Sequence, residues 1–189
     1  DMSTLIRGFA EGHKSCPRLR LVIAGDGEER QKLEDLAKEL GVEKEVTFAG
    51  WISGGMDRFY SALDINALTS LSETFPYALT EGARFHLATV ATAVGGIPYL
   101  IDQDVSGYLF APGDAETLGK RLAALGNDDA LRRDMGEKLY EKASRDFSIQ
   151  KTVDTQLHIY QEILRRSHRE KKARDGVVIC GAYGRGNAG

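Results

Sequence analysis

The sequence predicts an α/β fold, a doubly wound parallel sheet with helices on both faces. Three observations carry that prediction. Short apolar runs alternate along the chain with longer stretches in which apolar residues return every three or four positions, the two periods of strand and helix. Glycine or proline stands at most of the switches between them. The composition, 42% hydrophobic and 28% charged over 189 residues, is that of a folded domain long enough to bury a core.

Each element follows in order. Met2, Leu5, Ile6 and Phe9 form one helical stripe, and Pro17 stops it. Arg18–Ala24 reads as a buried strand, turned by Gly25-Asp-Gly27. Leu33, Leu36, Ala37 and Leu40 repeat the helical stripe until Gly41 ends it. Val46-Thr-Phe48 is a short strand closed by Gly50. Helix is expected at 56–62, strand at 65–69, helix at 76–85 and strand at Thr89–Thr92, running into Gly95-Gly96. A short helix at 97–101 and a strand at Tyr108–Phe110 follow. Asp114 is a natural N-cap for a helix at 115–126. Helices at 129–146 and 149–172 complete the pattern, the last capped by Ser148.

Charge and cysteine usage exclude other classes. Lys+Arg 25 against Asp+Glu 28 gives −3, without the basic excess of a nucleic-acid binder. No stretch approaches the roughly 20 apolar residues of a membrane span, and no secretory leader is visible. Cys16 and Cys180 stand far apart with no metal or redox spacing, which fits a cytoplasmic setting better than a disulfide scaffold.

The first helix opens without a preceding strand, so the first strand of the sheet is expected to be missing. An open sheet edge would then invite a homodimer. At the other end a basic run from Arg165 to Arg174 leads into a fresh strand signal, Gly176-Val-Val-Ile-Cys180, and a glycine-rich stretch. The expected division is a domain at 1–172 and, at 173–189, a linker and the start of a following domain.

The segment Leu68-Thr-Ser-Leu-Ser-Glu73-Thr-Phe-Pro76-Tyr-Ala-Leu-Thr-Glu81-Gly-Ala83 carries the chemistry. A strand ends, Glu73 sits on the loop, Pro76 is placed like a first-turn proline, and Glu81 falls on the second turn. A helix there offers free backbone N–H groups and a positive dipole end at the mouth of the sheet, where anionic phosphates bind in α/β folds. The bland alternative is one capping and one solvated glutamate.

The surrounding residues resemble a known family. Glu73 and Glu81, with seven residues between them, resemble the E-x7-E motif of retaining glycosyltransferase family 4. Leu21-Val-Ile-Ala-Gly-Asp-Gly-Glu28, Val46-Thr-Phe-Ala-Gly-Trp51, Ala93-Val-Gly-Gly-Ile-Pro98, Gly107–Asp114 and Phe147-Ser148 continue the resemblance in order from about 1 to 170. It implies a Rossmann-like, nucleotide-sugar-binding half of a GT-B enzyme with a long C-terminal helix. On that resemblance Glu81 binds the ribose hydroxyls and Glu73 contacts the donor sugar near the leaving phosphate. The backbone amides of Phe75, Tyr77 and Ala78 hold the diphosphate, and Gly25, Gly27 and Trp51 line the base side.

The resemblance further implies a retaining transferase with no cofactor and no bound metal, its donor a nucleoside diphosphate sugar. The whole enzyme is expected to be bacterial and to act in cell-wall or exopolysaccharide synthesis, a role that the tail resemblance described below suggests, cytoplasmic or peripheral to the inner membrane face. The acceptor-binding N-terminal domain and the family's diphosphate-clamping Arg and Lys lie outside the chain, so these residues alone are expected to be inactive. His86 and Ala88 stand where the family usually has Gly and Pro, and Tyr99 replaces its usual Glu. These departures keep open a nucleotide-sugar module or scaffold without transfer. Asp102-Gln-Asp104 has the D-x-D form of metal-dependent enzymes of another fold, and reads here as a solvated turn. Residues 176–189 resemble the opening strand and glycine loop of polysaccharide pyruvyl transferases, which would make such a domain the following partner.

Overall fold

The computed structural model describes residues 1–169 of the chain. Among them are five strands and eight helices: α1 (Met2–Ser15), β1 (Leu21–Ala24), α2 (Arg30–Glu39), β2 (Val46–Gly50), α3 (Met56–Ser61), β3 (Ile65–Leu68), α4 (Tyr77–Arg84), β4 (Ala88–Thr92), α5 (Ile97–Leu100), β5 (Tyr108–Phe110), α6 (Ala115–Asn127), α7 (Asp129–Asp146) and α8 (Ile149–Arg169). Asp1–Ser148 form one compact unit, and a second begins at Ile149. The strand signal at 176–180, Cys180 and the glycine-rich stretch lie outside the described residues.

All pairings between strands are parallel, as expected. The sheet, however, comes in two pieces: β1 pairs with β2, and β3-β4-β5 form the other. Arg18, just before β1, bonds Asp129 at 2.5 Å, Asp129 bonds Arg132 at 2.9 Å, and Arg132 reaches Asp64 at 3.6 Å, immediately before β3. This ion-pair chain ties the amino ends of β1 and β3 together. Between the strands lies a cavity of about 640 Å³.

β4 shows why the fold is doubly wound. Its Ala88 and Val90 join one core with Leu5, Ile6 and Phe9 of α1 and Leu118 and Leu122 of α6. Ala91, the next residue, joins a second core with Leu79 and Ala83 of α4, Ile97 and Leu100 of α5 and Leu139 of α7. Alternate residues of one strand thus feed opposite layers, and all five are buried. β5 repeats the rule, with Tyr108 and Phe110 on the first core and Leu109 against the second. On the first face α1 and α6 approach so closely that a side-chain carbon on Gly119 would stand 2.7 Å from the Gly8 carbonyl oxygen.

The expected strand Arg18–Ala24 begins only at Leu21, because Leu19 N–H closes a turn onto the Cys16 carbonyl and the Arg20 guanidinium bonds the carbonyls of Pro17 and Leu19. Asp114 caps α6 as expected, accepting from Thr117 N–H at 2.9 Å. The Thr117 hydroxyl, and then that backbone bond, hold its carboxyl below the usual aspartate range. α8, taken by itself, carries Ile149, Val153, Leu157, Tyr160 and Leu164 at helical spacing, a continuous apolar stripe.

Candidate functional site

The loop from β3 to α4 is seated by side chains from several elements. The hydroxyl of Thr69, the residue after β3, donates to the Asp1 carbonyl at 2.7 Å, which sets the amino end of α1 beside the loop. Thr92, ending β4, donates its hydroxyl to the Ser70 carbonyl at 2.7 Å. Gly96 N–H donates to the Thr74 carbonyl at 3.1 Å. Gly95 has φ +53°, and a side-chain carbon on it would fall 1.5 Å from the Glu73 carbonyl oxygen. This turn therefore requires glycine, both for its conformation and for its contact with the loop. Phe75 stacks on Phe147, ring centres 5.1 Å apart. On this platform the half-buried Glu73 carboxylate accepts from the Ser70 hydroxyl at 2.7 Å.

α4 starts where the loop ends. Pro76 (φ −81°, ψ 109°) is the N-cap, one position earlier than a first-turn proline, and no side chain caps the helix. The helix thus presents the N–H groups of Tyr77 and Ala78, both exposed residues, at its positive end. The first turn is fixed from below. Asn66 of β3 donates its amide to the Ala78 carbonyl at 2.9 Å, and Tyr60 of α3 donates its hydroxyl to the Glu81 carboxylate at 3.1 Å. Burial, with the Glu81 carboxylate as hydrogen-bond and charge partner, pushes the Tyr60 phenol up to about 12. The Tyr60 ring in turn stacks on Phe85 at 5.6 Å. Glu81 itself is exposed, its carboxylate oriented by one buried phenol.

A second group of expected site residues lies at the ends of β1 and β2. Gly25 (φ +114°) donates its N–H to the Gly50 carbonyl at 2.7 Å, which brings the Gly25–Gly27 turn beside Trp51. Gly27 N–H donates to the Asp26 carboxylate at 2.9 Å. Arg30, paired with Glu34 at 2.8 Å and Asp26 at 3.5 Å, backs the turn, its guanidinium 5.8 Å from the Phe48 ring centre. Trp51 is 79% exposed.

The structure therefore gathers Glu73, Phe75, Tyr77, Ala78 and Glu81 at the carboxyl end of one sheet piece, and Gly25, Gly27 and Trp51 at that of the other. Sequence reasoning missed Tyr60 and Asn66, the residues that hold Glu81 and the first turn of α4. A tyrosine in a short helix and an asparagine inside an apolar strand were the only signals, and the second is informative, since a buried amide needs a partner.

The remaining candidates are tied up elsewhere. His86, just past α4, has φ +55°, bonds Glu137 at 2.7 Å and stacks on Tyr140 at 4.1 Å. It is a helix-end residue. Asp102 pairs with Lys142 at 2.7 Å and Asp104 (φ +62°) with Arg121 at 3.4 Å, so the D-x-D carboxylates are exposed turn residues bound to different cations. Ala88 is fully buried at the start of β4, and Tyr99 is 76% exposed on α5. Among the described residues no three His, Cys, Asp or Glu side chains cluster as metal ligands. Nor is any described helix long and apolar enough to cross a membrane.

Comparison with known proteins bears on this geometry. The family model described as glycosyl transferases group 1 matches residues 2–142. N-acetyl-alpha-D-glucosaminyl L-malate synthase of Bacillus anthracis is 32% identical over 146 residues, covering 77% of this chain and 38% of that protein. The chain thus spans about two-fifths of the length of such relatives. The crystal structure of the C-terminal domain of a group 1 glycosyl transferase (LpcC) from Francisella tularensis superposes with a TM-score of 0.72 at 26% identity, covering 78% of this chain and 80% of that one. Anabaena HepE, solved in complex with UDP-glucose, shares the fold with a TM-score of 0.72 at 23% identity, covering 82% of this chain and 44% of its own.

Proposed function

The chain belongs to the glycosyl transferases group 1 family, and on that premise we propose that it is the donor-binding domain of a retaining, metal-independent glycosyltransferase of family 4. The donor is a nucleoside diphosphate sugar. The observation that carries this reading is the fixed pair of carboxylates around an uncapped helix start: Glu73 on its seated loop, and Glu81 held by Tyr60. The binding of UDP-glucose by the fold relative from Anabaena supports it.

In this reading the α4 N–H groups of Tyr77 and Ala78, with that of Phe75, donate to the diphosphate oxygens, and Glu81 accepts from the ribose hydroxyls. Gly25, Gly27 and Trp51 receive the base. Cleavage of the anomeric C–O bond builds positive charge on the sugar and negative charge on the leaving diphosphate. Glu73 faces the first. Preorganised N–H dipoles stabilise the second without reorganising, which removes the need for a metal ion there. Transfer itself needs an acceptor site as well, since positioning two substrates is a large part of any bisubstrate rate. Residues 1–189 alone should bind and not transfer. Synthesis of a cell-wall or exopolysaccharide glycan is the role this reading assigns to the whole protein.

Calorimetric titration with UDP, GDP and ADP tests the reading. One nucleotide should bind, and Glu81→Ala should weaken it by about tenfold to a hundredfold, the value of hydrogen bonds to a charged group. Unchanged affinity in Glu81→Ala would remove the ribose assignment. In the whole protein, loss of transfer with retained nucleotide affinity in Glu73→Ala would separate a transferase from a binding module.

A further inference from the structure

The peptide unit between Thr74 and Phe75 carries the first of the proposed diphosphate donors, the Phe75 N–H. The unit is trans, so its C=O and N–H point in opposite directions. Gly96 N–H holds the Thr74 carbonyl at 3.1 Å, which sends the Phe75 N–H the other way, and among the described residues nothing accepts it. One hydrogen bond alone leaves such a unit free to turn about that bond. The second hold is the Phe75 ring. A side-chain carbon on Gly96 would stand 3.4 Å from its Cδ2, so the ring lies against that glycine. Phe147 stacks on the same ring, centres 5.1 Å apart and planes inclined by 26°.

Phe147 is itself anchored. Its N–H closes the end of α7 on the Ala143 carbonyl at 3.0 Å, and its ring packs at the rim of the second core. α7 is in turn fixed: Leu139 is fully buried, and a side-chain carbon on Gly136 would fall 1.9 Å from the His86 carbonyl oxygen. Both stacked rings are only half-buried, so the pair braces the loop rather than filling the core. We propose that Phe147 is a positioning residue for the phosphate next to the donor sugar: through the Phe75 ring it fixes the direction of the Phe75 N–H. This inference rests on the donor reading above. There Glu81 takes the ribose and Glu73 faces the sugar, so the diphosphate runs from the start of α4 back along the loop. Phe75 stands nearer to Glu73 in the chain than Tyr77 and Ala78 do, and serves the sugar-side phosphate. Without Phe147 the ring loses its brace and the peptide unit turns about its bond to Gly96. The N–H then swings off the phosphate oxygen, and a charge-assisted hydrogen bond weakens steeply with angle.

The test is calorimetric titration of the full chain with UDP, GDP and ADP and with the corresponding monophosphates. For the nucleotide that binds, the readout is the ratio of the monophosphate Kd to the diphosphate Kd. Loss of folded chain does not move this ratio, because both ligands meet the same folded fraction. In Phe147→Ala the ratio should fall by about tenfold, the value of one hydrogen bond to a charged group, with monophosphate affinity kept within about twofold. Phe147→Leu keeps the apolar bulk and loses the ring, and should lower the ratio as well, whereas Phe147→Tyr should restore it. Glu81→Ala, which removes a ribose contact common to both ligands, should weaken both alike and leave the ratio where it was. An unchanged ratio in Phe147→Ala and Phe147→Leu would overturn the proposal, as would equal weakening of the two ligands, the mark of a residue that serves the fold alone. Absence of binding by any nucleotide to the parent chain would remove the donor reading, and this inference with it.

Discussion

The two pieces of the sheet end in different ways, and the proposed donor contacts divide along the same line. The loop after β3 is seated by Thr69, Thr92, Gly96 and Phe147, and the helix it leads into is held by Asn66 and Tyr60. The turns after β1 and β2 are open. A side-chain carbon on Gly25 or Gly27 would meet nothing within 4 Å, and Trp51 projects into solvent. A fixed carboxylate pair suits the parts common to every donor, the ribose and diphosphate, because preorganised groups lose little entropy on binding. An open turn with a free aromatic ring suits the part that differs, the base.

The sharpest way to break this contrast is a matched pair of glycine substitutions. Gly95→Ala forces a methyl carbon to within 1.5 Å of the Glu73 carbonyl oxygen, at φ +53°. The loop must move, and destabilisation of about 3 kcal/mol or more is expected in urea unfolding, with nucleotide binding lost in what remains folded. Gly27→Ala meets nothing and should stay within about 0.5 kcal/mol of the parent. Equal effects would show that the two ends are seated alike.

Tyr60 sharpens the contrast from the other side of α4. Tyr60→Phe removes the Glu81 hydrogen bond and keeps the ring on Phe85, which should cost about 1 kcal/mol. It also carries a pH signature. The phenol is raised from 10.0 to about 12 in the folded chain. Stability from the neutral phenol is thus complete below pH 10 and is lost as pH rises through 12, since the unfolded chain releases that proton first. Unfolding at pH 9 and pH 11.5 should show this loss in the parent, and less of it in Tyr60→Phe.

Much of this was legible in the sequence. The alternation of periods places all thirteen described elements within a few residues, because nearly every one carries an apolar stripe or run and many of the turns between them hold glycine or proline. Glu73, Glu81 and the Gly95-Gly96 turn stand out for the same reason, being local in sequence. What escaped is long-range. Nothing near Tyr60 announces that its hydroxyl meets a carboxylate 21 residues away, or that Phe147 stacks under Phe75. An open sheet edge was expected from the way the first helix opens, but nothing in Leu21–Ala24 says that the break falls between β1 and β3.

A smaller effect is expected at Trp51, where stability and binding should separate. Being 79% exposed, it contributes little to the fold, and Trp51→Ala should change unfolding by less than about 0.5 kcal/mol. If the base stacks there, nucleotide affinity should fall by about fivefold or more. As the only tryptophan in the chain, its fluorescence reports the contact directly. Full affinity in Trp51→Ala, with no quenching in the parent, would move the base elsewhere.

The smallest change is expected at His86, where two local terms oppose each other. At φ +55° a histidine bears the left-handed penalty of an L residue, about 1–2 kcal/mol, which glycine avoids. Against that stand its 2.7 Å bond to Glu137 and its stacking on Tyr140, both at exposed or half-exposed positions and worth about 1 kcal/mol together. His86→Gly should therefore sit within about 1 kcal/mol of the parent, whereas His86→Ala, which loses the contacts and keeps the strain, should fall below both. Nucleotide binding should be untouched in each, because His86 is committed to α7 and the seated loop does not depend on it. A glycine variant markedly less stable than the alanine one would mean that the backbone there is not strained. Loss of nucleotide affinity in either variant would instead place His86 in the donor site and extend that site past the end of α4.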